Sequence, residues 1–405
     1  MDIAVIGAGA SGMMAALQAA WNGAPVTLLE RNEQVGRKLL VTGSGRCNIT
    51  NRAAAAEKYA CADPGWMRTL LDCFGVDDLL AMLAEIGVPV HRTDDGWYYP
   101  LSNSAHTVVE AFASAMLRAG VTLITGAKVT SLRPGKAGFH VRISRPDGDQ
   151  TLSFTQVIVS AGGAAYPSLG SRGELFPALE KLGHTVLPSR PALAPLLVNL
   201  GSLRALQGVR LDAGVTLWDG SRRLGSTVGN LIFTEWGLNG PAVMDLSHLV
   251  SAHGGPGLEL SLNLLARVQA EYDRLLSAKR SSDLPLKVFL GAFFPPKVSA
   301  HYLRMVRLPD HLPLRDLGGG DLKRLTALLT DTRLPVKGTR EFEYCQVSAG
   351  GVPVTEVDPR TLQSLRVEGL FLTGETLDVV GPCGGYNLQY AFSSGALAGR
   401  AAAKV

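Results

Sequence analysis

Cysteine is scarce and unpatterned in this chain: five residues in 405, an odd number, with no CxxC pair. A disulfide framework and a thiolate zinc site are therefore not expected, and a reducing, cytoplasmic setting is. Charged residues make up only 18% and aromatics 6%. Lys and Arg number 39 against 35 Asp and Glu, too small an excess to call for a nucleic-acid partner. No apolar run reaches the roughly 20 residues of a membrane span. The first residues carry no basic stretch, so no secretory leader is expected either. No Ser–His–Asp order and no cluster of metal ligands stands out; His106, His184 and His248 look isolated and structural, and no catalytic side chain can be assigned. What the chain does hold is glycine, 46 residues, with 22 prolines and 46% hydrophobic content. That combination describes well-filled cores joined by many tight turns.

The glycines are patterned first at the start. Ile3 to Ile6 reads as a short buried strand, followed by Gly7, Gly9 and Gly12 in the spacing GxGxxG, with Ala10 and Ser11 between them. A helix is expected from Ser11 to about Asn22, then a second strand from Pro25 to Leu29 that ends on Glu30. This is a complete βαβ dinucleotide-binding fingerprint. Gly7 permits the tight turn, Gly9 lets the backbone approach a pyrophosphate, and Gly12 brings helix and strand together. The free N–H groups of the helix N-terminus face the phosphates, and Glu30 is placed to accept from a ribose hydroxyl.

Positive charge and a glycine loop follow. Arg31, Arg37, Lys38 and Arg46 surround Gly43, Ser44 and Gly45, whose exposed N–H groups suit a pyrophosphate or the edge of a flavin. GRKLLVTGSGRCNITN, behind the N-terminal fingerprint, resembles the BaiN-like, HI0933-type flavoprotein family. Members of that family are described as NAD(P)/FAD-dependent oxidoreductases or as aminoacetone oxidase family FAD-binding enzymes. The resemblance implies FAD, with Gly43, Ser44, Gly45, Arg46, Cys47 and Asn48 against the cofactor. It also implies that the backbone near Val129 meets the adenine. Further along, Ala161, Gly162 and Gly163 end a buried strand and resemble the ATGG element of FAD enzymes. FTEWGLNGP, from Phe233, resembles the family's loop on the substrate side of the flavin.

The C-terminal segment VEGLFLTGETLDVVGPCGGYNLQYAFSSG carries the second specific resemblance. Gly374 and Glu375 stand where many FAD enzymes have Gly-Asp on the ribityl chain. Gly384, Gly385, Tyr386, Asn387 and Leu388 open a long helix whose N-terminus suits the flavin's N1–C2=O edge. Pro382 stands where the family usually has an acid. Cys47 and Cys383 both fall on flavin-side elements; two packed thiols are a simpler expectation than a redox pair.

Between these ends the texture changes. Prolines cluster near Pro188, strand-like pieces run from Gly208 to Thr234, and helical spacing covers Leu264 to Ala278, Leu284 to Phe293, Pro296 to Val306 and Gly320 to Leu329. The expected architecture is α/β. A Rossmann-like FAD-binding domain comes from residues 1–189 and 345–405, a β-barrel-like substrate domain from 190–258 and 330–344, and a small helical insert from 259–329. The function implied is an FAD-dependent oxidoreductase moving a hydride at flavin N5, between a small organic substrate or NAD(P)H and an acceptor. No second complete GxGxxG exists, so NAD(P)H is expected as a transient donor. The partners expected are a small-molecule substrate, with no nucleic acid and no membrane. The alternatives are an FAD-dependent RNA-modifying enzyme and a non-catalytic flavin-binding redox sensor.

Overall fold

The computed structural model describes residues 2–404. The chain forms two compact units, one running up to Pro191 and resuming at Cys345, the other Ala192–Tyr344. In the first, strands β1 (Ile3–Ile6), β2 (Val26–Leu29), β3 (Thr122–Ile124), β4 (Gln156–Val159) and β5 (Leu370–Leu372) make one sheet in the order β5-β4-β1-β2-β3. Every pairing in it is parallel. Parallel sheets are covered on both faces, which is why β1 and β5 are unbroken apolar runs, β4 is apolar after Gln156, and every residue of the three is buried. Each fully buried Ile, Val or Leu of this kind contributes about 1.5–3 kcal/mol.

Three helices matter for the site: α1 (Ala10–Trp21), α2 (Ala105–Arg118) and α3 (Tyr386–Ala402). Ser104 occupies the N-cap position of α2, but its side chain makes no capping bond. Helix α3 lies directly on α1. A Cβ at Gly395 would stand 2.2 Å from the Ser11 carbonyl oxygen, and one at Gly399 would stand 2.3 Å from that of Ala15. The four-residue spacing puts both glycines on one face, so the two backbones touch there. Arg400 Nε donates to Gln18 Oε1 at 2.8 Å across the same seam. A three-stranded antiparallel meander, Lys128–Gly135, Gly138–Arg145 and Gly148–Phe154, also belongs to this unit.

The second unit is a closed six-stranded barrel. Its strands run Leu196–Val198, Gly237–Asn239, Arg222–Phe233, Arg210–Asp219, Leu258–Asn263 and Thr332–Thr339, each antiparallel to the next, and the last pairs with the first. Alternate residues such as Leu260 and Leu262, or Val215 and Leu217, point inward and are fully buried. Helices Gln269–Lys279, Leu286–Gly291, Pro296–Met305 and Gly319–Thr330 lie between the last two of these strands in sequence. The first of them starts five residues later than helical spacing suggested. Asn263 Oδ1 accepts from Leu265 N at 2.9 Å, and this turn holds 264–268 out of the helix.

Candidate functional site

The loop from β1 into α1 uses its three glycines for different reasons. Gly7 has φ +99°, and a Cβ there would lie 2.5 Å from the Ser160 carbonyl oxygen. A Cβ at Gly12 would lie 1.8 Å from the Gly7 carbonyl oxygen. Both are therefore fixed by the protein's own packing. Gly9 is different. Its φ of −79° suits any residue, and a Cβ there would meet nothing within 4 Å. No protein atom fills the space beside this position, which leaves the backbone there open to a ligand. The α1 N-terminus beside Gly9 has no side-chain cap and no acidic residue in its first turn. Its first N–H groups and the positive end of its dipole are left for an anion.

Glu30, at the end of β2, is buried, with Oε2 accepting from Ala8 N at 2.7 Å. Its Oε1 accepts from Asn32 N and Nδ2 at 2.8 and 2.7 Å. A carboxylate has about four acceptor positions, so the loop orients this one and leaves room for a further donor. Ala127 N donates to Glu30 O at 2.8 Å, which brings buried Val129 to the same end of the sheet. Arg31 is drawn elsewhere, onto Glu174 and the Gly170 carbonyl oxygen.

The second element is the loop after helix Arg37–Val41. Gly43, Ser44, Gly45 and Cys47 all lie in the left-handed region, with φ of 56°, 59°, 83° and 61°. At Ser44 and Cys47 that conformation costs roughly 1–2 kcal/mol per residue. The strain is held in place by Cys47 N donating to Thr42 O and by Asn48 N passing 2.8 Å from where a Cβ on Gly43 would stand. Asn48 is buried and its Oδ1 has no partner, as is the case for Thr376 Oγ1 in the C-terminal segment. Buried acceptors and hydroxyls of this kind are costly unless a ligand completes them. Arg46 is exposed and lies over the Tyr99 ring, 4.5 Å from its centroid.

Two further elements converge on the same sheet end. Lys38 Nζ lies 2.6 Å from Glu375 Oε2, and Glu375 Oε1 accepts from Ser348 N and Oγ, each at 2.8 Å. A Cβ at Gly163 would lie 2.1 Å from Ser348 Oγ, so the Ala161–Gly163 turn and this ion pair interlock. Gly162 takes φ +75° to make that turn. Gly374, at φ +58°, sits over Ser11 of α1. At the start of α3, a Cβ on Gly385 would lie 2.5 Å from the Thr50 carbonyl oxygen. Asn51 Nδ2 donates to Gly384 O at 2.9 Å, which ties the α3 N-terminus to the GSGRCNITN segment. Asn387 turns its side chain back onto Gly381 N and O, bracing the loop that carries Pro382. Tyr386 is buried edge-on to Tyr59, and Leu388 is half-buried beside it in sequence.

The residues predicted from opposite ends of the sequence are thus adjacent in space. A family model described as the HI0933-like protein Rossmann domain matches residues 1–401. The chain belongs to the HI0933-like family. It is 36% identical over 409 residues to a 3-dehydro-bile acid delta(4,6)-reductase of Clostridium scindens, covering 99% of each chain. It is 31% identical over 400 residues to a ribosomal RNA dihydrouridine synthase of Escherichia coli, covering 97% of this chain and 96% of the relative. Among solved structures, a 3-ketosteroid-delta4-(5alpha)-dehydrogenase from Rhodococcus jostii aligns with 100% of this chain and 97% of its own. The TM-score is 0.54 at 13% identity, a likeness of fold.

One histidine of this family member differs from its sequence reading, while Cys47 is packed as expected. His184 is not isolated: its Nδ1 lies 2.7 Å from Glu356 Oε2 and its Nε2 lies 2.8 Å from Ser364 Oγ. Arg366 and Thr185 N complete the Glu356 carboxylate. Sequence offers no signal for this group, because its halves lie 172 residues apart. Burial pushes the His184 imidazole below its usual 6.5, against the pull of Glu356. Burial alone would raise the Glu356 carboxyl, but hydrogen bonds from Arg366, Thr185 and His184 outweigh it and hold it down to about 2. Cys47 is fully buried, and burial pushes its thiol up to about 12, so it is no thiolate at neutral pH. Among the described residues no disulfide forms, and no helix is long and apolar enough to cross a membrane.

Proposed function

We propose that this chain binds FAD on the β1–α1 loop, the Gly43–Asn48 loop and the α3 N-terminus, and acts as an FAD-dependent oxidoreductase on a small organic substrate. The observation that carries the reading is Gly9, a glycine that neither backbone conformation nor packing demands. The unpartnered, buried Asn48 Oδ1 and Thr376 Oγ1 supply further polar groups fit for a cofactor. Bound FAD supplies a two-electron centre able to give or take a hydride at N5. The chain's residues do the rest. The α1 N–H groups hold the pyrophosphate, Glu30 takes a ribose hydroxyl, and the α3 N-terminus places a positive dipole end at the flavin's carbonyl edge. Glu375, oriented by Lys38 and Ser348, takes the ribityl chain or fixes Lys38 toward the ring.

The substrate class we infer is a carbon–carbon double bond conjugated to a carbonyl. By name, the Clostridium scindens and Escherichia coli relatives both saturate such a bond, one in a steroid and one in a uracil ring. NADH or NADPH serves as a transient donor. The test is anaerobic: the purified yellow protein is mixed with each nicotinamide, then with a 3-oxo-Δ4 steroid. Bleaching of the flavin band, followed by its return on adding the enone, is expected. A protein that stays colourless after incubation with FAD removes the whole reading. A second reading, reduction of uracil in RNA, is favoured by the Escherichia coli relative. It requires RNA binding that weakens steeply with salt.

A further inference from the structure

Four arginines of this chain pack on aromatic rings among the described residues, and one differs from the rest. Arg46, over Tyr99, also donates to Gly43 O and Tyr99 OH. Arg333, over Trp218, donates to Asp331 Oδ1 at 2.7 Å. Arg400, over Phe74, donates to Gln18 Oε1. Arg340 lies against two rings, with its guanidinium carbon 4.8 Å from the Trp236 centroid and 3.2 Å from that of Tyr344. Yet among the described residues its side chain has no hydrogen-bond acceptor and no ion-pair partner.

The fold builds this arrangement within the barrel unit. Strand Leu196–Val198 pairs on one side with Gly237–Asn239 and on the other with Thr332–Thr339. Trp236 immediately precedes the first of these partners and Arg340 immediately follows the second. Arg340 N is anchored on Pro195 O at 2.9 Å, and Val198 N donates to Trp236 O. Tyr344 is 49% exposed, and Trp236 and Arg340 are half-buried. Two rings thus hold the cation, while its N–H groups meet no acceptor among the described residues. Five N–H donors in a rigid fork match a carboxylate in bidentate fashion.

We propose that the Arg340 edge, framed by Trp236 and Tyr344, is a subsite for a carboxylate borne by the substrate, with the two rings covering the apolar body next to it. The proposal rests on the reading of the chain as an oxidoreductase of small organic molecules. Charge decides between ligand sources. Glu235, Glu341 and Glu343 are exposed and neighbour Trp236 and Arg340 in sequence. They repel a polyanion such as an RNA backbone far more than a single carboxylate, whose bidentate bonds to Arg340 are short-range and strong.

The test uses the FAD-loaded full chain, with a 3-oxo-Δ4 bile acid and its methyl ester as probes. Binding is read by tryptophan fluorescence and calorimetry, and turnover by KM and kcat separately. The free acid is expected to bind the unaltered protein about 10- to 100-fold more tightly than the ester, as a lost charge-assisted bidentate pair implies. Arg340→Ala should weaken the acid to the level of the ester, leave the ester unchanged, and raise KM with little change in kcat. Arg340→Lys should restore only part, because an ammonium lacks the fork. Equal binding of acid and ester, binding of neither, or a preference that survives in R340A overturns the subsite. So does an RNA oligonucleotide that binds tightly and is weakened by R340A, which would assign the edge to phosphate. Preference for the acid through Arg340 without any turnover would instead keep the subsite and sink the oxidoreductase reading.

Discussion

The FAD-site unit contains two carboxylate–base assemblies that look alike on paper and differ in what they leave open. Ser364, His184 and Glu356 stand at the distances of a hydrolase triad. But Ser364 Oγ also accepts from Arg366 N and Val367 N at 3.0 and 2.9 Å, and all three side chains are buried. The hydroxyl proton goes to Nε2, the Nδ1 proton to Glu356, and Arg366 closes the circuit. No substrate atom has room to enter. Lys38, Glu375 and Ser348 form a looser group, in which Lys38 keeps two further N–H donors and 26% of its side-chain surface exposed. The difference teaches that hydrogen-bond distances do not identify chemistry. Open space and unfilled polar atoms mark where a ligand fits, as over Gly9 and at Asn48 and Arg340.

Breaking the closed assembly should have the largest effect. Glu356→Gln weakens the carboxylate contacts to buried His184 and to Thr185 N, and a loss of about 1–3 kcal/mol is expected in urea unfolding. The pH dependence sharpens the same point. Both His184 and Glu356 hold fewer protons folded than unfolded at acid pH. Their contribution is complete above about pH 6.5. It falls as pH drops through the ordinary His and Glu values and goes on falling toward about pH 2. A urea midpoint that is flat between pH 7 and 4 would contradict this, and E356Q should flatten the slope below about pH 4.5.

In the open region the effects fall on the ligand. Gly9→Ala should lower FAD affinity about 10- to 100-fold, measured by flavin release, while unfolding of the FAD-free protein moves by less than about 1 kcal/mol. Gly12→Ala, whose Cβ meets the Gly7 carbonyl oxygen, should damage the fold itself. Lys38→Met should shift the flavin reduction potential negative by about 30 mV in a potentiometric titration, the size of a lost interaction of 1.4 kcal/mol. The smallest effect belongs to cysteine. C47A/C383A should reduce with unchanged stoichiometry and rate, because the buried Cys47 thiol stays protonated.

Much of the fold was legible because it rests on local rules. Ile3 to Leu29 pairs apolar strands with a glycine turn, and α3 begins where Gly384 and Gly385 end a loop. The barrel was legible only in outline. Leu258–Asn263 alternates apolar and polar residues as a strand should, but the apolar Leu264–Leu265–Ala266 behind it extends the pattern into what reads as a helix. The partners of His184, Lys38 and Arg340 were not legible at all. Glu356, Glu375 and Trp236 reach them through sheet order and barrel closure, which no single window of sequence encodes. For the candidate site, the glycines that turn or pack were readable from spacing. That Gly9 alone is not required by the protein emerged only from three-dimensional contacts.

The seam of Gly395 and Gly399 on α1 has a consequence for biosynthesis. During synthesis β1 and α1 precede the Ala192–Tyr344 unit, whereas the helix that covers α1 and the strand β5 that borders β4 follow it. The intervening Ala192–Tyr344 unit is continuous and can fold while its neighbour waits. At about 5–20 residues per second, its roughly 150 residues impose a delay of about 8–30 s. During that interval the apolar face of α1 stays uncovered and is a natural client surface for chaperones.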